Sequence, residues 1–396
     1  MRVTLIPSSY LPVLGGLQEA ISQLACEFKS QKHDVAVVTN RHPRILKRHE
    51  IVDGIPVGRM LFPGFYLASF GLSRLIKFVA GLVIGFANLF RLMFFLRKEK
   101  PSIVNIHFLG SQAPFAIFAS KMLGIKCVVS LHGDDVEGLP HRSRIDRWLF
   151  RRVLTASDYV TACSGYLLNE ARRLVPEIET KSTVIHNGIR PEEFQRFPPY
   201  KHSRPYIFAA GRLVHTKGFD LLLLAYRRAL DMGLEADLIL AGDGPEREDL
   251  LSLARDINLH VVSKKLTSEP SDLQQGKANR IFFWGRAQRA DMIGLLKGCE
   301  LVVVPSRNES FGMVALEALA AGKRVVAYKT GGLPEILNDE PGNRLVKPEN
   351  VEELAEGMRL ALQNITGTLA HDLRGKSWSE VSIRYLRLFE NVDKQK

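Results

Sequence analysis

Cysteine is scarce in this chain. There are four in 396 residues, at positions 26, 127, 163 and 299, and no two form a CxxC pair. That spacing excludes a disulfide framework and a zinc module. Cys127 and Cys163 fall inside apolar strand-like runs and read as buried, reduced thiols of a cytosolic protein. Acid is the deficient charge: 42 Asp plus Glu stand against 54 Lys plus Arg, a net charge of +12. A basic surface favours an anionic partner, whether nucleotide, acidic lipid or nucleic acid, although a merely soluble basic protein has the same balance. Aromatic residues are not interleaved with the basic ones and no nucleic-acid motif occurs, which argues against nucleic acid. There is no low-complexity tract and no short repeat. The N-terminus MRVTLIPSSY enters a strand pattern directly, without the apolar stretch of a signal peptide.

What the chain does contain is alternation. Short continuous apolar runs recur throughout: RVTLIPS, DVAVVTN, SIVNIHF, KCVVSLHG, YVTACS and STVIHNG in the first half, then YIFAAGR, ADLILAGDG, RIFFWGR, ELVVVPS and RVVAYKT. Continuous rather than alternating hydrophobicity marks parallel strands covered on both faces. Amphipathic segments of helical length separate them, so the chain reads as βαβ units repeated in two Rossmann-like domains. The expected division is residues 1–187, 188–375 and a C-terminal helix, 376–396, that packs back on the first domain. RPEEFQRFPPYKHSRP, from Arg190, is polar and proline-containing and reads as the linker. Ser263 to Asn279 reads as a surface loop or insertion.

In doubly wound sheets, ligands sit beyond the carboxyl ends of the strands, and the candidate motifs follow strands. ESFGMVALEALAAG, from Glu309, opens a helix behind ELVVVPS. From Met313 to Ala321 its one polar residue is Glu317. A buried, unpaired carboxylate costs several kcal/mol, so something must meet it. Amides at Phe311, Gly312 and Met313 and the helix dipole favour a phosphate, and Glu317 then lies roughly 7–8 Å along the axis, a fair distance for a ribose whose diol would satisfy the carboxylate. A nearby arginine would satisfy it equally, and Glu309 could be a solvated loop acid. GRLVHTKGFD, from Gly211, places Arg212 and Lys217 between a strand and a helix. They form a diphosphate clamp or are ordinary solvated loop charges. Gly242, in the AGDGP turn, and Gly285-Arg286, ending RIFFWGR, are further strand-to-loop junctions. Gly15-Gly16 precede a helix and let backbone amides approach a phosphate or sugar. His132, ending the strand in SLHGDD, is a candidate sugar or acceptor ligand or a satisfied core histidine. Asp134-Asp135 lack a third ligand at metal spacing.

These pieces in this order resemble the retaining glycosyltransferases of family four, the glycosyl transferases group 1. The resemblance spans nearly the whole chain and is most specific in ESFGMVALEALAAG followed by PEIL after Gly331-Gly332. It implies α/β architecture with two Rossmann-like domains facing a cleft (GT-B). The second domain would bind a UDP- or GDP-linked sugar and the first would serve the acceptor. The implied roles are Glu317 on the donor ribose, Glu309 facing the donor sugar, and Arg212 and Lys217 on the diphosphate. Amides at Phe311, Gly312 and Met313 would touch sugar and phosphate. His132 would lie near the reacting centre, and Gly16 beside diphosphate and acceptor. No cofactor or catalytic metal is implied, and the sugar would be transferred with retention to a hydroxyl of a glycan or lipid-linked acceptor. Two other classes remain in play: a hydrolysing nucleotide-sugar epimerase, and a non-enzymatic basic scaffold for membrane or RNA.

One segment stands apart. FGLSRLIKFVAGLVIGFANLFRLMFFLRKEK, from Phe70, is nearly apolar from Phe78 to Leu96. Arg91 in its centre argues against spanning a bilayer. A helical wheel over helix 71–98 puts Lys77, Asn88 and Arg91 on one polar face, with a very broad apolar arc. It reads as a crossover helix on the first sheet, or as a surface dipping into the inner, anionic face of a membrane.

Overall fold

The structure is a computed structural model that describes residues 1–13, 15–63, 72–262, 280–337, 342–363 and 369–394, with backbone alone over 72–82. It divides into two compact units, Met1–Gly188 with Trp378–Lys396, and Ile189–Ser377. The proposed insertion at Ser263 to Asn279 and the Lys77 end of the long apolar helix lie outside the described side chains.

The first unit holds strands β1 (Arg2–Pro7), β2 (Asp34–Asn40), β3 (His49–Val52), β4 (Ile55–Met60), β5 (Ile103–His107), β6 (Lys126–Leu131), β7 (Tyr159–Ala162) and β8 (Ser182–Val184). They form one sheet in the order β3-β4-β2-β1-β5-β6-β7-β8. Every pairing is parallel except β3 with β4. Helices cover both faces, which is why strands such as β1 and β5 are mostly apolar and are buried along nearly all their length. The helix Trp378–Lys394 belongs to this unit: it lies against the helix Gly16–Ser30, where Tyr385 and Phe389 meet Phe28 edge-on with centroids 6.5 and 5.9 Å apart.

The second unit holds β9 (Tyr206–Ala210), β10 (Asp237–Ala241), β11 (His260–Val262), β12 (Arg280–Gly285), β13 (Leu301–Val304), β14 (Arg324–Tyr328) and β15 (Arg344–Val346). The order is β11-β12-β10-β9-β13-β14-β15, parallel throughout the described residues. In each sheet the strand order reverses beside the first strand, between β1 and β5 and between β9 and β13. That reversal opens a crevice at the carboxyl ends, where doubly wound sheets bind ligands.

Three local expectations need correction. The stretch after Arg190 is not a free linker. It carries the short helix Glu193–Arg196, Lys297 Nζ donates to the carbonyls of Phe194 and Phe197 at 2.6 and 2.5 Å, and His202 Nε2 lies 2.9 Å from the buried Asp237 carboxylate. Its polar residues are engaged by the second unit. The apolar pattern of the helix after Lys217 points to Leu221, Leu222, Leu224 and Ala225 as its packed face, but Leu224 is exposed, and the buried side is Phe219, Leu222, Leu223, Ala225 and Tyr226. In the long apolar helix, Leu72–Glu99, Asn88 is buried and donates to the Ile84 carbonyl at 2.8 Å. The polar face inferred from the wheel is therefore broken: Arg91 is exposed, and Phe86, Phe90 and Phe94 are exposed with it.

Candidate active site

In the second unit the candidate residues converge on the β9/β13 reversal. After β9 the chain runs Gly211–Lys217 and re-enters a helix at Gly218, whose φ of 64° is the left-handed conformation. A Cβ there would stand 2.1 Å from the Pro305 carbonyl oxygen, so only glycine lets the β9 loop pass this close to the β13 loop. The amides of Arg307 and Asn308 donate to the Thr216 carbonyl at 2.9 and 3.3 Å. Across this seam Lys217 Nζ donates to Glu309 Oε2 at 2.7 Å, and Ser306 Oγ donates to the same oxygen at 3.0 Å. Two motifs 92 residues apart in sequence thus share one ion pair. Arg212 is exposed on the same loop and makes no ion pair among the described residues.

Glu309 is fixed from behind as well. Its carbonyl accepts from the Gly332 amide at 2.8 Å, and a Cβ on Gly331 (φ 55°) would sit 1.9 Å from that oxygen. The GG pair before PEIL therefore lets β14's loop close over the Glu309 turn. Arg307, which the motifs did not single out, holds the turn to the β9 side: its guanidinium forks onto Asp220 with two bonds of 2.7 Å and reaches Glu349 at 3.2 Å. Burial would raise the Asp220 pKa, but the Arg307 hydrogen bonds outweigh it and hold the carboxyl below its usual range. The other two junctions are stitched alongside. Gly242 donates to the Gly285 carbonyl at 2.8 Å, and Leu213 donates to Asp243 at 3.0 Å. Arg286 is exposed beyond them.

Gly312, at φ 104°, opens the helix Met313–Ala320, whose first amides have no intrahelical acceptor. Phe311 is buried and Met313 half-buried. Glu317, on the next turn, has a side chain only 9% exposed. Its partner in this structure is a protein cation: the Arg289 guanidinium, at the start of the helix Arg289–Gly298, donates to Glu317 Oε1. Of the two partners expected for this carboxylate, a ribose diol or a nearby arginine, the arginine is the one this structure holds. Arg289 also donates to Glu193 at 2.9 Å and lies over the Phe194 ring at 5.9 Å. It was legible only as one more loop cation after Gly285-Arg286.

In the first unit, His132 follows β6, and its Nε2 lies 3.0 Å from Nδ1 of His107, the last residue of β5. His107 carried the same signal as His132, a histidine ending a buried strand, and was missed. Burial pushes the His132 pKa down to about 4, and burial, with the neighbouring ring, pushes His107 well below its ordinary value. The pair is therefore neutral, one nitrogen donating and the other accepting. Asp135 is committed to structure: its carboxylate accepts from the amides of Leu109, His132 and Gly133 at 3.2, 3.2 and 2.8 Å. That stitches the β5 and β6 loops together and sets the imidazoles. Gly15 caps the helix that Gly16 begins, and a Cβ on Gly16 would meet nothing within 4 Å. Its space is open to a ligand, not filled by protein. No group of three or more His, Cys, Asp or Glu that could hold a metal is found among the described residues.

Comparison with known proteins places this geometry. Two family models abut on the chain: Glycosyltransferase Family 4 over residues 14–193, and Glycosyl transferases group 1 over residues 191–375. Over 91% of the chain and 88% of the relative, it is 26% identical to an uncharacterized glycosyltransferase of Methanocaldococcus jannaschii. It is 25% identical to one of the subunits of the phosphatidylinositol N-acetylglucosaminyltransferase of Homo sapiens, over 99% of the chain and 76% of that protein. Among solved structures, Anabaena HepE in complex with UDP-glucose superposes with a TM-score of 0.65 at 18% identity, covering 100% of this chain and 98% of that one.

Proposed function

The chain is a glycosyltransferase of family four, the glycosyl transferases group 1, with the GT-B fold, and from that premise we propose a retaining, metal-independent hexosyltransferase. The donor is a UDP- or GDP-linked sugar and the acceptor a hydroxyl of a glycan or lipid-linked molecule, in cell-surface polysaccharide or glycolipid synthesis. The observation that carries the reading is the Lys217–Glu309 ion pair at the β9/β13 reversal. It sets a cation where a diphosphate would leave and a carboxylate beside it, where the sugar would sit. Arg212 and Lys217 neutralise the departing diphosphate, the work otherwise given to a metal. Amides of Phe311, Gly312 and Met313 hold phosphate and sugar at the helix mouth. Glu317 accepts the ribose diol by exchanging it for Arg289. His132, kept neutral by burial, offers hydrogen bonds to a sugar hydroxyl without adding charge.

The test is a thermal-shift screen of nucleotides and nucleotide sugars, then mass spectrometry of products formed with candidate acceptors. A UDP or GDP sugar that stabilises the protein and is passed to an acceptor supports the reading. Free epimeric sugar made without an acceptor assigns the hydrolysing-epimerase chemistry, and neither binding nor turnover leaves the scaffold.

The same proposal has the protein lie peripherally on the cytoplasmic face of a membrane. Among the described residues no helix is long and apolar enough to cross one. Phe86, Phe90 and Phe94 recur at i, i+4 and i+8 on an exposed helix face, with Arg91, Arg97 and Lys98 exposed around them. Apolar side chains framed by cations suit an anionic interface. Co-sedimentation with anionic liposomes at low salt, and none with zwitterionic ones, is the expected result.

A further inference from the structure

The first unit contains a cavity of about 800 Å³ at the carboxyl ends of β2, β4 and β5, a size usual for small-molecule sites. Its lining combines two kinds of residue: Arg41, His42, Arg44 and Arg142, and Leu61, Phe62, Phe108, Leu149 and Phe150. The one acid in the lining, Asp146, is already engaged by the Ser143 hydroxyl at 2.7 Å.

We infer that this cavity binds the acceptor, and that the acceptor is an amphiphile with a phosphate-class head group beside a hydrocarbon body. The inference rests on the transferase reading and names the acceptor chemistry which that reading leaves open. A neutral glycan gives Arg41 and Arg44, which make no ion pair among the described residues, nothing to neutralise, while Arg142 lies 3.8 Å from the Asp134 carboxylate. A small hydrophilic phosphate gives the apolar part of the lining nothing to cover. Two of the cations are held in place for a ligand: Arg41 Nε donates to the Leu46 carbonyl at 2.7 Å, and Arg142 to the Asp134 carbonyl at 3.1 Å. Arg44 is exposed and makes no ion pair among the described residues. Guanidiniums fork onto phosphate oxygens.

The apolar lining is held in place at Phe62. The Phe62 amide donates to Asn40 Oδ1 at 3.3 Å, and its carbonyl accepts from the Ser111 hydroxyl at 2.9 Å. Its ring lies 5.6 Å from that of Phe115. Phe115 packs on Gly85 so closely that a Cβ there would meet the ring at 3.3 Å. Gly85 is on the buried side of the helix whose other side exposes Phe86, Phe90 and Phe94. Packed apolar contacts thus run from the cavity to the inner side of the helix whose outer side carries the exposed phenylalanines.

Calorimetry on the full chain tests this with dihexanoyl phosphatidic acid, dihexanoyl phosphatidylcholine and glycerol 3-phosphate, each kept below micelle formation. Phosphatidic acid should bind at least tenfold more tightly than either of the others. Arg44→Gln with Arg142→Gln should weaken it at least tenfold, and Arg44→Gln alone, at an exposed position, keeps the test available if the pair does not fold. Phosphatidic acid binding that is absent, unchanged by the substitutions or matched by phosphatidylcholine overturns the inference. Equal binding of glycerol 3-phosphate overturns the amphiphile and assigns a soluble phosphorylated acceptor. UDP and GDP are titrated in the same preparation. Nucleotide binding without phosphatidic acid binding sinks the cavity assignment alone, and phosphatidic acid binding without nucleotide binding sinks the transferase reading alone.

Discussion

The second unit pairs most cations of its candidate site with its own carboxylates, and the first unit pairs fewer. Around β9 and β13, Lys217 is paired with Glu309, Arg307 with Asp220, and Arg289 with Glu317. Around β5 and β6, two neutral imidazoles face one another over a carboxylate consumed by backbone amides, and the nearby cavity gathers Arg41, Arg44 and Arg142, of which Arg142 alone has an acidic partner among the described residues, Asp134 at 3.8 Å. On the proposed function, the difference follows from what each would hold. A nucleoside diphosphate carries charge that increases on the leaving group, so its cations must be preorganised yet stable when it is absent. Ion pairs with the chain's own carboxylates do that, and a ligand that swaps one ion pair for another meets little of the desolvation cost that burying a bare charge would demand. On the same reading the two imidazoles beside the acceptor hydroxyl are neutral and position it without repelling, and the cavity's guanidiniums await the acceptor's own charge.

The largest break in that contrast is Glu309→Ala. It removes the carboxylate common to Lys217 and Ser306, and kcat/KM for transfer should fall by about 10²–10³-fold, as when a preorganised polar contact is lost, with the circular dichroism spectrum unchanged. Retained activity would mean that the pair is only structural. Next comes acid. His132 has a folded pKa of about 4 against 6.5 for a free imidazole, so below pH 6.5 the unfolded chain takes up a proton that the folded one refuses. Stability is therefore full above that pH and falls as pH drops from 6.5 to 4, by about 3 kcal/mol. Burial of His107 acts in the same direction. Denaturant titrations across this window should show that His132→Gln flattens the loss; an unaltered acid limb would place it elsewhere. Lys217→Gln is smaller: about tenfold or somewhat more in donor Kd, the worth of one charged hydrogen bond, measured by nucleotide titration.

The contrast was legible in part. Continuous apolar runs marked eleven of the strands, because burial on both faces leaves a local signature. The hairpin β3–β4 was missed although Asp53-Gly54 marks its turn, both at positive φ; β3 has no buried residue, its positions alternating exposed and half-buried, and looks like loop. Glu309, Glu317, Lys217 and His132 were legible because each follows or opens an element. Their partners were not. Arg289 is 28 residues from Glu317 and His107 is 25 from His132, and such pairings follow from strand order, which local periodicity does not encode. Asn88 misled for a related reason: a wheel takes every polar residue to face water, and this one bonds its own helix.

The finest test separates the two partners of Glu317. If Arg289 is only a structural counter-ion, Arg289→Gln costs stability by leaving a nearly buried carboxylate unpaired, and donor binding follows stability. If Arg289 is a stand-in that the ribose displaces, the same substitution removes a competitor. Donor affinity should then hold or rise a few-fold while the free protein's Tm falls, and the donor should restore more Tm to the variant than to the wild type. Glu317→Gln supplies the opposite arm. It keeps the shape, removes the charge that both partners want, and should weaken donor binding by about fivefold, since a ribose hydroxyl bonded to a charged acceptor gains about 1 kcal/mol over one bonded to a neutral amide. With both substitutions combined, coupling in Tm but none in donor Kd would tie Arg289 to the fold alone. Coupling in donor Kd would identify it as the ligand's placeholder, and the internal neutralisation of the second unit would then be the resting state of a site built for exchange.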